Sequence, residues 1–340
     1  MTNIQMALLG LSRSGFLPDR TVHLHPLDRC NLACIHCYSA SSPARSAILP
    51  ADLMIAALPQ LRAQGYSVIS LSGGEPLLYP GLARLSAAAR ELQFRVVAIS
   101  NGYRVTPNHA SLVNALDRIA ISFDGMETTH LAMRGHPRAW TAAVSALRHL
   151  KDIGKPSAAA FTVSARSLPE VPDFIEMCAE MGVESVQLRP LVLAGRAVQD
   201  AADVALSPAD LARLWVMGQT LALAYKGELL VHTDLAPAQA LAADRGAYEG
   251  AMAGTGLLSD VVNPLVITPQ GVLRPFTYDF PAAFDLGHLS DLTPARMATL
   301  HARLPRVAHL LRITLDAVTD EDGFIDWFVY QRDRAVLELV

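Results

Sequence analysis

Cysteine is scarce: the chain has 340 residues and only 4 cysteines. That number, with three of them crowded together, does not describe a disulfide framework. Charge is sparse as well, at 18% of residues, and the formal net charge is −4. A general nucleic-acid binder would carry a basic balance or stripe, so nucleic acid is not the expected partner, although a local patch stays open. There is no run of about 18 apolar residues, so no transmembrane helix and no membrane partner are expected. The stretch MTNIQMALLGLSRSGFL lacks the early positive charge and cleavage site of a signal peptide. A cytoplasmic protein with reduced thiols is the expectation. What the chain does have is apolar bulk, 51% of residues. That is enough core for one large α/β domain with an appendage, or for two modest domains.

Three of the cysteines lie in LDRCNLACIHCYSAS, residues 27–41, as Cys30, Cys34 and Cys37. Thiolates held this close in a reducing compartment point to a metal. Around a tetrahedral zinc they would leave one position open. On a cubane iron–sulfur cluster they would leave one iron without a protein ligand. The plain alternative is three unrelated cysteines. The fourth, Cys178, lies in FIEMCAEMG and reads as a small buried hydrophobe on an outer helix; the other option is a hydrogen-atom donor.

The first two-thirds of the chain alternates short apolar strands with helical patterns. Strands are predicted at 21–28, 67–73, 95–101, 117–125, 155–164 and 185–193. Helices are predicted between and after them, one interrupted by Pro59. Six such units imply a parallel sheet with crossover helices. Several strands alternate polar with apolar residues: His23 and His25, Ser122 and Asp124, Gln187 and Arg189. Each pair shares one face. A polar inner face suits a barrel lumen, although an open sheet could also place polar ends at a crevice. After residue 194 a helix with a Ser-Pro start precedes ELLVHTD, which can be a strand. ALAADRGAYEGAMAGTG reads as a loop or mobile segment. NPLVITPQGVLRPFTYD reads as a hairpin. Helical stretches at about 294–315 and 320–338 close the chain.

CNLACIHC resembles the C-x3-C-x2-C motif of the radical S-adenosylmethionine (SAM) superfamily. The resemblance runs over about residues 20–195. SGGEP (72–76), ISNG (99–102) and ISFDG (121–125) each end a predicted strand, in the family's order. MRGHPRAWTAAVSALRHL resembles the Arg-Gly segment and helix that follow. The resemblance implies an α/β fold: a partial (β/α)6 TIM-like barrel with a small α+β C-terminal cap. It implies one 4Fe-4S cluster on Cys30, Cys34 and Cys37, with SAM on the remaining iron. Reduction would cleave SAM to methionine and a 5′-deoxyadenosyl radical, which takes hydrogen from a substrate. An external one-electron donor such as flavodoxin or ferredoxin is the implied partner.

Roles for other residues follow from the same resemblance. Gly73 and Gly74 would let the backbone approach a ligand, and Glu75 would accept from the SAM ammonium; the plain alternative is a strand-ending turn. His36 would lie against the adenine, or be an exposed loop residue. Ser122 and Asp124 would bind the ribose or carboxylate, with Arg134 pairing the carboxylate; alternatively Asp124 is in a turn and Arg134 on the surface. Asn101 would contact SAM or cap the next helix. Thr162, Ser164, Gln187 and Arg189 would line the lumen, against SAM or substrate. His23 and His25 would face substrate or lie below the cluster, at least one being structural.

Residues 265–291 resemble the opening of a SPASM or twitch extension, in which a cysteine would stand near Phe276. Without cysteines after Cys178, a degenerate extension holding no metal is expected. The expected organisation is an N-terminal segment 1–19, a barrel core 20–195, a connecting region 196–262 and a degenerate cap 263–340. The substrate would be a small molecule or peptide in a biosynthetic pathway. A short run before the first strand tilts the expectation toward a small molecule, or a peptide held by the cap or a partner. The alternative is a non-catalytic iron–sulfur and SAM-binding protein that keeps the fold.

Overall fold

The computed structural model describes residues 19–339. The N-terminal stretch read for a targeting signal, and nearly all of segment 1–19, lie outside the described residues. The parallel units run β1 (Thr21–Leu24), α1 (Ala51–Ala63), β2 (Val68–Leu71), α2 (Leu82–Glu91), β3 (Arg95–Ser100) and β4 (Arg118–Phe123). They continue through α3 (Glu127–Arg134), α4 (Ala139–Asp152), β5 (Ser157–Val163), α5 (Val171–Glu180) and β6 (Ser185–Pro190). Then come α6 (Pro208–Ala224), β7 (Leu230–Thr233), β8 (Ala236–Pro237), β9 (Leu265–Ile267), β10 (Val272–Pro275), β11 (Gly287–His288), α7 (Leu304–Ala317), β12 (Phe324–Ile325) and α8 (Trp327–Leu337). The α1 helix runs through Pro59 without ending there. Among the described residues no helix is long and apolar enough to cross a membrane.

One ten-stranded sheet orders these strands β11-β10-β9-β1-β2-β3-β4-β5-β6-β7. All pairings from β1 through β7 are parallel. Period-two alternation explains how the sheet is used. Val22, Leu24, Ile119, Ile121, Phe123, Val186 and Leu188 are buried in the core, with helices packed outside. Phe123 and Phe161 meet Phe174 of α5 at ring-centroid separations of 5.0 and 4.4 Å. His23, Ser122, Thr162, Gln187 and Arg189 take the opposite face and are less covered. That face curls into a lumen: His23 on β1 feels the charges of Arg189 and Asp234, at the far end of the parallel ladder. The architecture is a partial TIM-like barrel with the strand C-termini at one mouth.

The expected hairpin forms: β9 pairs in parallel with β1 and β10 returns antiparallel beside it. Two expectations change. ALAADRGAYEGAMAGTG is largely helical, over Ala238–Ala243, Arg245–Tyr248 and Glu249–Ala253. Alanine favours helix intrinsically, and Tyr248 packs on Trp327 to anchor the segment. The last helix begins at Trp327 instead of 320. Asp326 caps it by accepting from the N–H groups of Phe328 and Val329 at 3.1 and 3.2 Å. ELLVHTD does form a strand, adding β7 to the six expected.

Candidate functional site

The cysteine loop follows β1 at the mouth of the barrel, and the ends of other elements hold it there. Cys30 N–H donates to Ser42 O at 3.1 Å, and Ile35 N–H donates to Met133 O at 3.1 Å. Arg196, just past β6, does more. Its Nε donates to Cys34 O at 2.9 Å, its Nη2 to Ser41 O at 2.7 Å, and its backbone N–H to Cys37 O at 3.0 Å. The sulfurs have local donors: Leu32 N–H lies 3.5 Å from Cys30 Sγ and Asn101 Nδ2 lies 3.8 Å from it. Ser39 Oγ is 3.4 Å from Cys37 Sγ. Burial, reinforced by Glu75, pushes the Cys30 thiol up to about 11. Burial pushes Cys34 up to about 12 against the pull of Arg134.

The Gly-Gly-Glu stretch serves the loop in a way its sequence did not reveal. A Cβ on Gly74 would stand 2.1 Å from Arg29 O, and one on Gly73, at φ +94°, would meet Leu27 O at 2.9 Å. The absent side chains therefore admit the backbone of the cysteine loop, which bonds back through Gly74 N–H to Leu27 O and Glu75 N–H to Arg29 O. Glu75 is buried. Its Oε1 accepts from Leu77 N–H at 3.1 Å and Ser100 Oγ at 2.8 Å, and its Oε2 from Asn101 N–H at 2.9 Å. Burial raises its carboxyl while these bonds oppose the rise. Glu75 thus ties the end of β2 to the end of β3, with acceptor capacity left on Oε2. Asn101 both reaches the loop, donating to Asn31 Oδ1 at 2.8 Å, and accepts from Tyr103 N–H at 3.2 Å.

Asp124, in the bend that follows β4, is fully buried. Its Oδ2 pairs with Arg134 Nε of α3, so Arg134 is not a surface residue either. Burial would raise the Asp124 carboxyl, but Arg134, then His36 and His130, hold it well below the usual range. His130 is lowered to about 4 by burial and by Arg134, which suits its Nδ1 accepting from Asp124 N–H at 3.3 Å. His36 is not an exposed loop residue: its side chain is 11% accessible, with Nε2 2.9 Å from Asp124 Oδ1. Neither Asp124 Oδ1 nor His36 Nδ1 has an aligned hydrogen-bond partner among the described residues. The structure thus joins His36, Asp124 and Arg134, next to the second and third cysteines.

Arg189 belongs to a different group. Its Nε lies 2.9 Å from Asp234 Oδ2, while Gln187 Nε2 donates to both Asp234 oxygens at 2.9 Å. His232 Nε2 is 3.5 Å from Asp234 Oδ1. Sequence reasoning missed Asp234, His232, Asp326 and Arg196. The first two were legible: His232 and Asp234 repeat the polar period-two pattern used to single out Gln187 and Arg189. Ser164 does not line the lumen: it is fully buried and bonded to Ser167 in a turn. Ser122 and Thr162 lie on the inner face. His25, lowered to about 3 by burial and then by His23, stacks on Tyr278 at 4.6 Å and meets Tyr38 edge-on at 5.8 Å. Cys178 is fully buried in the core. Phe276 packs with Phe280 and Phe328 at 5.5 and 6.2 Å.

These residues fit an iron–sulfur cube. Among the described residues, no three His, Cys, Asp or Glu side chains converge enough to hold a single metal ion. A cube presents its irons at separate corners and does not ask three thiols to meet at a point. The loop supplies clamped backbone, N–H groups near sulfur and a buried His36 Nδ1 without a partner among the described residues. Hydrogen bonds to ligating sulfur are the usual means of tuning such a cluster.

Comparison with known proteins agrees. Residues 24–178 match the family described as the radical SAM superfamily. The sporulation killing factor maturation protein of Bacillus subtilis is 30% identical over 190 residues, covering 55% of this chain and 46% of the relative. Pre-heme d1 synthase of Dinoroseobacter shibae is 35% identical over 175 residues, covering 49% and 42%. AdoMet-dependent heme synthase of Methanosarcina barkeri is 32% identical over 189 residues, covering 54% and 53%. The chain spans about half the length of the curated relatives it matches. Among solved structures, Streptococcus suis SuiB bound to S-adenosylmethionine superposes with a TM-score of 0.59 at 17% identity, covering 74% of this chain and 59% of that one. Native anSMEcpe with bound AdoMet superposes with a TM-score of 0.61 at 16% identity, covering 85% and 83%; at these identities the two structures speak to fold. The family match runs from the end of β1 through the cysteine loop to α5, on a fold shared with these structures.

Proposed function

We propose that this chain is a radical SAM enzyme that acts in a biosynthetic pathway on a peptide or small molecule. Cys30, Cys34 and Cys37 would hold one 4Fe-4S cluster. With SAM bound, that cluster would supply reductive cleavage to methionine and a 5′-deoxyadenosyl radical able to take hydrogen from the substrate. The protein's part is positioning. Arg196, Met133 and the Gly73–Gly74 turn fix the loop backbone. Glu75 keeps acceptor capacity on Oε2, and His36 keeps an unpartnered Nδ1 while its Nε2 meets Asp124. Ser122 and Thr162 face the lumen where the rest of the cofactor and the substrate would lie. A peptide substrate draws support from the maturation protein among the relatives and from a structure of SuiB bound to its precursor peptide. The electron would come from an external donor such as flavodoxin or ferredoxin.

One observation carries this reading: three cysteines are clamped at the barrel mouth by the ends of several strands and helices. The test is anaerobic reconstitution with iron and sulfide, then dithionite and SAM, with an assay for 5′-deoxyadenosine. About four irons per chain and cleavage, both lost in a Cys30/Cys34/Cys37→Ala triple variant, are expected. Cluster formation with no cleavage, under a panel of peptide and small-molecule candidates, would favour the non-catalytic binding protein. About eight irons would overturn the single cluster.

A further inference from the structure

The far wall of the lumen carries a negative charge that the protein does not balance. Asp234 is spent on internal partners: Arg189, Gln187 and His232 surround it. Asp326 is brought beside it by a small antiparallel ladder. Phe324 pairs with Pro237 and Ile325 with Ala236, so Asp326 falls level with Leu235, next to Asp234. Trp215 of α6 packs on Phe324 at 4.9 Å and holds that ladder against the barrel. Asp326 spends Oδ1 on the first N–H groups of α8. Its Oδ2 accepts no hydrogen bond from the described residues.

Arg189 supplies the one permanent positive charge beside two carboxylates, Asp234 and Asp326; His232 also meets Asp234, and the N-terminus of α8 meets only Asp326 Oδ1. His23, on the opposite wall, is lowered to about 4 by burial and then by Arg189, so it contributes no positive charge near neutrality. Burial, then the Asp234 charge, raises the Asp326 carboxyl to about 6. A second unmet group borders the same lumen: His25 is 3% exposed, and its Nδ1 has no partner among the described residues. An uncompensated carboxylate in a partly desolvated chamber is costly, and an incoming cation would relieve that cost.

We propose that this wall recognises a cationic group of the substrate, an ammonium or guanidinium, with Asp326 Oδ2 as its acceptor. Asp234 and Arg189 position it by setting the local charge. The proposal rests on the reading above that the lumen is the reaction chamber, and it narrows the substrate to a molecule or peptide bearing a basic group.

The test uses the full chain and three probes of one shape: n-butylammonium, n-butanol and butyrate, titrated by calorimetry at pH 7.5. Saturable binding of n-butylammonium is expected, with neither control approaching it. Asp326→Asn should weaken it tenfold or more while keeping the native melting temperature to within a few degrees, because asparagine also caps helices. Arg189→Gln removes the competing cation and should tighten binding; weaker binding in that variant would also overturn the proposal. Preference for butyrate, equal binding of butanol, no saturable binding of n-butylammonium, or an unaffected Asp326→Asn variant would each overturn the proposal. Because binding needs neither cluster nor SAM, its failure leaves the SAM-cleavage reading standing. Failure of SAM cleavage likewise leaves this binding to be measured.

Discussion

Consider Asp124→Asn. The wild-type carboxylate is fully buried, and it neutralises an Arg134 guanidinium whose side chain is only 7% accessible. The amide keeps the volume and one oxygen but removes the charge. Arg134 cannot give up its proton, so the variant keeps a buried cation without its counter-ion. Breaking such a pair from one side costs about 3–5 kcal/mol. At about 2.1 cal/mol/K per residue, a chain of this length has an unfolding entropy of about 0.7 kcal/mol/K. The melting temperature should therefore fall by about 4–7 °C. The damage should be local first, because α3 also supplies Met133 O to the cysteine loop at Ile35. Hydrogen exchange at Ile35 and its neighbours should speed up more than exchange in β4. The double variant Asp124→Asn/Arg134→Met removes the stranded cation and should recover part of the loss. A single variant costing under about 1 kcal/mol, or a double variant less stable than the sum of the single changes, would refute the idea that charge pairing holds this corner.

Three further outcomes are expected. Arg196→Ala strands the carbonyls of Cys34 and Ser41, each facing a charged donor in the native state; a loss of about 2–4 kcal/mol should appear as reduced iron retention after reconstitution, and Arg196→Lys should rescue it only in part. Gly74→Ala places a Cβ 2.1 Å from Arg29 O, so iron per chain should fall several-fold while far-UV circular dichroism stays native; normal loading would disprove the packing role. Asp326 has a folded-state value raised to about 6 by burial and then Asp234, so its folded form binds the proton more tightly than the unfolded chain does. Its contribution therefore favours folding at low pH and is lost as pH rises from about 4 to about 6; with Asp234 and Arg189 the charged groups facing it, Asp326→Asn should flatten that slope in melts taken from pH 4 to 8.

The strand positions were legible because the sheet uses its two faces differently. In β1, β4 and β6 an apolar residue that packs on a helix alternates with a polar one that meets the lumen, and this signal is local. The cysteine spacing is local too, and so is Gly-Gly-Glu-Pro at a strand end. ALAADRGAYEGAMAGTG reads as a loop because small residues fill it, but its alanines favour helix. Its anchor, Tyr248 against Trp327, lies nearly eighty residues away.

What escaped the sequence was the choice of partner. Glu75 looks like a ligand to a cation when only its neighbours are known. In the fold it already holds Leu77, Ser100 and Asn101, so most of its hydrogen-bonding capacity goes to joining two strand ends. Gly74 looks like room for a ligand, and the room is filled by Arg29. Arg134 looks like a carboxylate binder, and the carboxylate it binds is Asp124. In each case the residue type predicted the chemistry, and the fold itself supplies one complement to it. A residue can position a cofactor by gripping the loop that carries it, without touching the cofactor. Iron retention, SAM affinity and loop exchange should therefore respond together at Gly74, Arg134 and Arg196. Asp326, tied to α8 and β8 and clear of the cysteine loop, should move none of the three.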